Sequence, residues 1–196
     1  MESLQLLISA LDKKPLYLIN DYKFILNPLT EQVPATSPQL LNAAAEIIIS
    51  HMNIQRYDKI ITEEDKGAIL VAAVSLMTGL HFGMARWYPT DLANQISSIF
   101  SSEYLSEGKL YICGIEKGDR VCIIDDIIST GGTIIGMIKA LQKIGARIID
   151  IIVIGEKIEY KGVQRVFEET GYHVKTLLEI SVRDKTSKVI ISKDTG

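Results

Sequence analysis

The chain has 196 residues, 47% of them hydrophobic and 23% charged, with a formal net charge of −3. That length supports one substantial core rather than two, and the acidic balance argues against generic nucleic-acid binding, which draws on clustered Lys and Arg. No apolar run approaches the roughly 20 residues of a membrane span, and the first residues, Met1 to Gln5, lack the basic start of a secretory signal. The expectation is a cytoplasmic protein forming one domain over 1–196. Cys113 and Cys122 read as buried, reduced thiols, because no second Cys or His lies at ligand spacing.

In chain order, Leu4, Leu7, Ile8 and Leu11 recur at helical spacing, and Pro15 ends that helix. Tyr17 to Leu26 is aromatic and β-branched around Asn20-Asp21, which predicts two short strands and a turn. Asn27 to Thr36 reads as loop. Ser37-Pro38 is an N-cap and first-turn pair opening a helix to about His51. Lys59 to Thr62 is a short strand and Glu63 to Gly67 a charged loop. Ala68 to Met77 is an apolar helix closed by Gly79, and Leu80 to Ala85 another strand. Gln95 to Leu105 with Lys109 to Gly114 suggests a hairpin reaching off the body. Arg147 to Ile154 is a long strand, and the apolar runs Val121 to Ile124 and Ile148 to Ile154 lack alternation, as strands covered on both faces do. Helices follow over Thr133 to Ile144 and Tyr160 to Glu169, then strands over His173 to Ser181 and Lys188 to Ser192. The pattern is α/β, with a central, mostly parallel sheet flanked by helices.

The chemistry concentrates where the Val121 strand ends. Asp125-Asp126 is followed by Ile127-Ile128 and then by Ser129-Thr130-Gly131-Gly132-Thr133, which leads into a helix. Ligands of such sheets bind beyond the carboxyl ends of the strands. Two carboxylates there can accept hydrogen bonds from a sugar diol or help to hold Mg²⁺. The loop adds successive backbone N–H donors, hydroxyls and a helix dipole, a cradle for a monophosphate. Together they have the layout of a ribose-5-phosphate site. The competing reading is a capped helix with a solvated Asp pair. A P-loop is excluded because no lysine precedes Thr133, and the G-x-G-x-x-G dinucleotide fingerprint is absent.

Val121 to Thr133 resembles the phosphoribosyl-pyrophosphate (PRPP) motif of the type I phosphoribosyltransferases. The resemblance covers most of the chain and is strongest toward the purine branch of adenine type. It is close to the archaeal hypoxanthine/guanine group, which shares segments like Asn27-Pro28-Leu29-Thr30 and Met84-Ala85-Arg86-Trp87-Tyr88-Pro89. It implies a Mg²⁺-dependent transfer of ribose-5-phosphate from PRPP to a purine base. The Mg²⁺ would be carried by PRPP, near Asp125 and Asp126, without a direct protein metal site. It further implies a homodimer, a small N-terminal hood over about 1–36 and a mobile catalytic loop over about 87–110.

By that resemblance Asp125 and Asp126 hold the ribose hydroxyls, Asp126 with a catalytic part, and Ser129, Thr130, Gly131, Gly132 and Thr133 hold the 5-phosphate. Glu64, Asp65, Lys66 and Gly67 stand where the family keeps its pyrophosphate loop, with Lys66 replacing the usual Arg. Arg86 matches a pyrophosphate-contacting basic residue, although the chain departs from the adenine pattern at Trp87-Tyr88-Pro89; Trp87 reads either as part of the site or as a packing residue or dimer contact. Glu103-Tyr104 lies 22 positions before Asp125, close to the separation of the family's catalytic Glu-Tyr pair. Glu103 would take the proton from the base and Tyr104 would cover the reacting centre; the alternative is a solvated hairpin glutamate. Phe24, Ile25 and Leu26 occupy the base-contacting place, with a core role for Phe24 as the alternative. Lys157 either reads O6 of a 6-oxopurine or caps its strand. On Glu103-Tyr104 and Gly131-Gly132, adenine is the first expectation for the acceptor. Hypoxanthine/guanine is the alternative, and a PRPP- or nucleotide-sensing regulator without turnover is a further one. The expected partners are PRPP and a purine base, with no nucleic acid and no membrane.

Overall fold

The computed structural model describes residues 2–89, 96–100 and 108–190. Eight strands form one sheet in the order β10-β9-β8-β7-β3-β4-β6-β5. Its centre is parallel: β3 (Lys59–Glu63), β4 (His81–Arg86), β7 (Arg120–Ile128), β8 (Arg147–Lys157) and β9 (Lys175–Ser181) all run one way. Antiparallel strands close both edges, with β5 (Ile96–Phe100) and β6 (Gly108–Cys113) beyond β4, and β10 (Lys188–Ile190) beyond β9.

The non-alternating strands are explained by two cores. On β7, Cys122 and Ile124 face one apolar cluster, and Val121 and Ile123 face the other. Successive side chains of a strand point to opposite faces, so a strand covered on both sides is apolar throughout. The first face is covered by α1 (Glu2–Leu11), α2 (Pro38–Ser50) and α3 (Gly67–Thr78). The second is covered by α4 (Gly132–Ile144) and α5 (Gly162–Thr170). Among the described residues no helix is long and apolar enough to cross a membrane.

Local signals place the helices. The Ser37 hydroxyl accepts the Leu40 N–H at 3.1 Å and Pro38 takes the first helical position, so α2 starts as its sequence predicts. Gly145 ends α4 with φ 83°, a left-handed cap that side chains resist. Three elements differ from expectation. Strand β7 runs on through the Asp pair to Ile128, because paired β8 extends to Lys157 beside it. Helix α5 begins at Gly162, after a short 3-10 turn over Ile158–Tyr160. The hairpin bases, β5 and β6, do not reach off the body; they complete the sheet edge, and the Ser98 hydroxyl donates to Gly136 O of α4 at 2.5 Å.

The N-terminal region has two parts. Helix α1 buries Leu7, Ala10 and Leu11 in the main core. The hairpin β1 (Leu16–Ile19) and β2 (Tyr22–Ile25), turning at Asn20 and Asp21 with φ 47° and 67°, forms a separate two-stranded sheet over the cleft. This hood is anchored by late parts of the chain. Lys23 Nζ donates to Val182 O and Arg183 O at 2.8 and 2.7 Å, and its N–H donates to the Tyr160 hydroxyl at 2.8 Å. At the base of the hairpin, the Ser187 hydroxyl accepts the Lys14 N–H at 2.9 Å and donates to Leu11 O at 2.5 Å.

Candidate active site

The carboxyl ends of β3, β7 and β8 open into a cleft of about 770 Å³, part of it open solvent, roofed by the hood. On the floor, Asp125 and Asp126 are 8% and 6% exposed. Their backbone ties them into a chain: the Asp126 N–H donates to Asp125 Oδ1 at 3.0 Å, and the Ile127 N–H donates to Asp126 Oδ1 at 2.6 Å. Asp126 Oδ2 and the Ser129 hydroxyl are buried with no hydrogen-bond partner among the described residues. Buried polar atoms without partners are costly, so these two are candidates for ligand contact.

Burial raises the pKa of both carboxyls, and for Asp125 the neighbouring Asp126 and Glu63 charges add to the rise. Glu63, at the end of β3 and 8% exposed, is pushed up to about 7 by burial, with Asp65 and Asp126 adding. Its Oε1 accepts the Asp65 N–H at 3.0 Å.

The loop from Ser129 to Thr133 lines the cleft and leads into α4. Gly131 takes φ 78°, and a Cβ there would meet Gly162 O at 2.7 Å. In turn a Cβ on Gly162 would meet Ser129 O at 2.1 Å. Arg165 Nη1 donates to Thr130 O at 3.1 Å. The loop is thus seated directly on α5. On the other side, a Cβ on Gly67 would lie 1.9 Å from Thr62 Oγ1 and 3.1 Å from Asp125 Oδ1, so only glycine lets α3 start so close to the floor.

At the roof, Phe24 and Ile25 face the cleft, and two ammonium groups flank the Phe24 ring: Lys66 Nζ at 5.1 Å and Lys157 Nζ at 4.8 Å from its centroid. Lys157 also donates to Lys23 O at 2.9 Å, joining β8 to the hood. Lys66 pairs with Glu31 of the loop that follows β2.

The structure therefore brings together, in one cleft, Phe24, Ile25, Asp65, Lys66, Asp125, Asp126, the Ser129–Thr133 loop and Lys157. It places the other sequence-derived candidates beside the cleft. Leu26 is half-buried, with its N–H bonded to Pro15 O at 2.9 Å. Arg86 pairs with Glu64 at 3.2 Å, and the Tyr88 hydroxyl donates to the same Glu64 oxygen at 2.9 Å. Glu103 and Tyr104 lie outside the described residues. Sequence reasoning missed Thr30, Glu31 and Glu63 as lining residues and left Trp87 open between the site and packing or a dimer contact; Trp87 both lines the cleft and packs on the second core. Glu63 carried no local signal, since in sequence it runs on into Glu64 and Asp65; in the fold it stands two residues past Ile61, which pairs with Ile123, as Asp125 stands two past Ile123. Nothing local marks Glu31. Among the described residues no three His, Cys, Asp or Glu side chains are grouped to hold a metal ion, and neither cysteine is in a disulfide, Cys122 being buried and Cys113 half-buried.

Residues 37–180 match the family described as phosphoribosyl transferase domain. The chain is 41% identical over 186 residues to a hypoxanthine/guanine phosphoribosyltransferase of Methanotorris igneus, covering 95% of this chain and 99% of that one. It is 40% identical over 193 residues to the enzyme of the same name from Methanohalophilus mahii, covering 98% of each. Among solved structures, an adenine phosphoribosyltransferase from Rhodothermus marinus superposes with a TM-score of 0.74 at 23% identity, covering 91% of this chain and 98% of that one. The Giardia lamblia enzyme with 9-deazaadenine gives 0.75 at 20% identity, covering 87% and 94%. At those identities the structural likeness is one of fold.

Proposed function

Because the chain belongs to the phosphoribosyltransferase family, we propose that it transfers ribose-5-phosphate from PRPP to a purine base, hypoxanthine or guanine ahead of adenine. The observation that carries this reading is the junction of Asp125-Asp126 with the Ser129–Thr133 loop on the floor of a cleft roofed by Phe24. The order of bases reverses the expectation from sequence, which put adenine first. Two features support the reversal: the names of the archaeal relatives, and the Lys157 ammonium beside Phe24, a donor suited to O6 of a 6-oxopurine and ill-suited to the amino group of adenine.

In this reading the 5-phosphate rests on the backbone N–H groups and hydroxyls of 129–133 at the α4 N-terminus. The ribose hydroxyls donate to Asp125 and Asp126, giving the buried Asp126 Oδ2 its partner. The pyrophosphate lies toward Lys66 and Gly67, with Arg86 at the rim. The base stacks on Phe24. The bond from C1 of the ribose to pyrophosphate breaks as the bond to the purine nitrogen forms, and Glu103 accepts the proton while Tyr104 helps to exclude water. The floor also fits a Mg²⁺ brought in with PRPP: two hard carboxylates with an unsatisfied oxygen suit an ion that keeps water and phosphate ligands. When bound, Mg²⁺ would neutralise charge on the leaving pyrophosphate. Positioning and charge stabilisation carry the rest of the rate. The reading includes a homodimer through the outer face of α3, which has no charged residue and exposes Leu76 and Met77.

The test is a panel of purine and pyrimidine bases assayed with Mg²⁺ and PRPP for nucleotide and pyrophosphate. Hypoxanthine or guanine is expected to give the highest kcat/KM. Adenine in first place would reverse the base order, and no pyrophosphate with any base would leave the non-catalytic regulator. In the same assay Asp126→Asn is expected to lose roughly 10- to 100-fold in kcat/KM, the scale of one charge-assisted hydrogen bond.

A further inference from the structure

The cleft is lined by five carboxylates, Glu31, Glu63, Asp65, Asp125 and Asp126, and by two lysines, Lys66 and Lys157. Such a site is a poor host for an anion unless its cations are available. Lys66 is central: its ammonium faces the Phe24 ring, and its charge opposes the burial-driven rise of the Asp126 pKa, while Glu31 acts on Asp126 in the opposite sense. Yet Lys66 is paired with Glu31, across the gap between the hood loop and the β3–α3 turn. About a fifth of each side chain, 20% for Lys66 and 18% for Glu31, reaches solvent.

We infer that Glu31 is a stand-in anion for pyrophosphate. In the free protein it holds Lys66 in the cleft with its charge compensated; when the pyrophosphate group of PRPP arrives, it is displaced from that lysine. The inference rests on the reading of Lys66 as a pyrophosphate contact, and goes beyond it by naming the residue that sets how tightly that contact binds. The exchange is feasible on charge alone. A largely buried Lys–Glu pair contributes little net stability because desolvating both charges offsets their attraction, whereas a pyrophosphate brings several charge-assisted acceptors to the same ammonium. The same competition works in reverse after transfer: Glu31 returns to Lys66 as pyrophosphate leaves, so it acts on product release as well as on PRPP binding. Glu31 is thus an affinity-determining residue acting through Lys66, and no step of bond making is assigned to it.

The experiment is calorimetric titration of Mg²⁺-PRPP and Mg²⁺-pyrophosphate into the wild-type protein, Glu31→Gln, Asp65→Asn and Lys66→Met, with steady-state KM values for PRPP and base. Removing the competitor is expected to tighten both ligands by roughly three- to tenfold in Glu31→Gln, and to lower the KM for PRPP while the KM for the base stays within about twofold. Asp65→Asn removes an equal charge from the same cleft without touching the pair, and is expected to gain less. Weaker PRPP binding in Glu31→Gln at an unchanged melting temperature would mean a purely structural tie, and a gain no larger than that of Asp65→Asn would mean general charge repulsion; either overturns the inference. Lys66→Met separates the two levels of the claim. If it leaves PRPP and pyrophosphate affinity unchanged, the placement of pyrophosphate at Lys66 is wrong, whatever Glu31 does.

Discussion

At the end of β3, burial raises the Glu63 pKa from an ordinary 4.5 to about 7, helped by the carboxylates around it. Between those two values the folded protein keeps a proton that the unfolded chain has lost, so stability falls as pH rises through the window. The rise at buried Asp125 acts in the same direction. For Glu63 the cost at pH 8 is on the order of 2–3 kcal/mol. Gln can still accept the Asp65 N–H that Glu63 Oε1 accepts. Glu63→Gln is therefore expected to melt close to wild type near pH 5 and several degrees higher at pH 8. A melting difference that does not change with pH would refute this account. The residue shows a limit of reading by pattern: in sequence it joins a charged run with Glu64 and Asp65, and only its pairing with Ala85 of β4 reveals that it is the last strand residue, lining the cleft. The Asp pair was legible because both of its signals, an apolar strand before and a glycine-rich turn after, are contiguous with it.

The same contrast holds for whole elements. The β7–loop–α4 unit could be read from 121–144 alone, since strand, turn and helix signals follow one another. Its support could not, because α5 meets the loop from some thirty residues downstream. The contact is a backbone-to-backbone fit in which Gly162 lies against Ser129 O, reinforced by the Arg165 bond to Thr130 O. A methyl group at Gly162 would need about an ångström of displacement, and misplacements of that size cost catalysis heavily. Gly162→Ala is expected to raise the KM for PRPP at least tenfold. Arg165→Ala, which leaves the backbone fit in place, is expected to raise it several-fold. In Arg165→Ala the KM for the base should stay near wild type, because the hood is untouched; an equal rise in both KM values would show general loosening rather than support of the phosphate loop.

At the scale of the molecule, α3 is the element whose surface is least suited to water. It carries no charged residue, and Leu76 is 88% exposed. In a two-fold dimer each substitution enters the interface twice, so Leu76→Glu is expected to convert a dimer to a monomer, as read by light scattering. A monomeric wild type would remove the dimer from the proposal, and a dimer that survives Leu76→Glu would place its interface elsewhere. The parallel centre of the sheet was legible as runs of Ile and Val, whereas the antiparallel edge by β5 and β6 was not, since short strands beyond β4 carry no mark of which edge they extend. The hood was legible as a hairpin, but its anchorage was not: the bonds of Ser187 to Leu11 and Lys14 span 176 and 173 residues of chain. That separation imposes an order on synthesis. A nascent chain that has emerged through α5 already carries the 129–133 loop and its seat, while the hood's anchors at Val182, Arg183 and Ser187 are still to be translated, and long-range contacts of this kind form last. On the proposed reading, the part of the site that meets the base is completed only after the part that meets the phosphate.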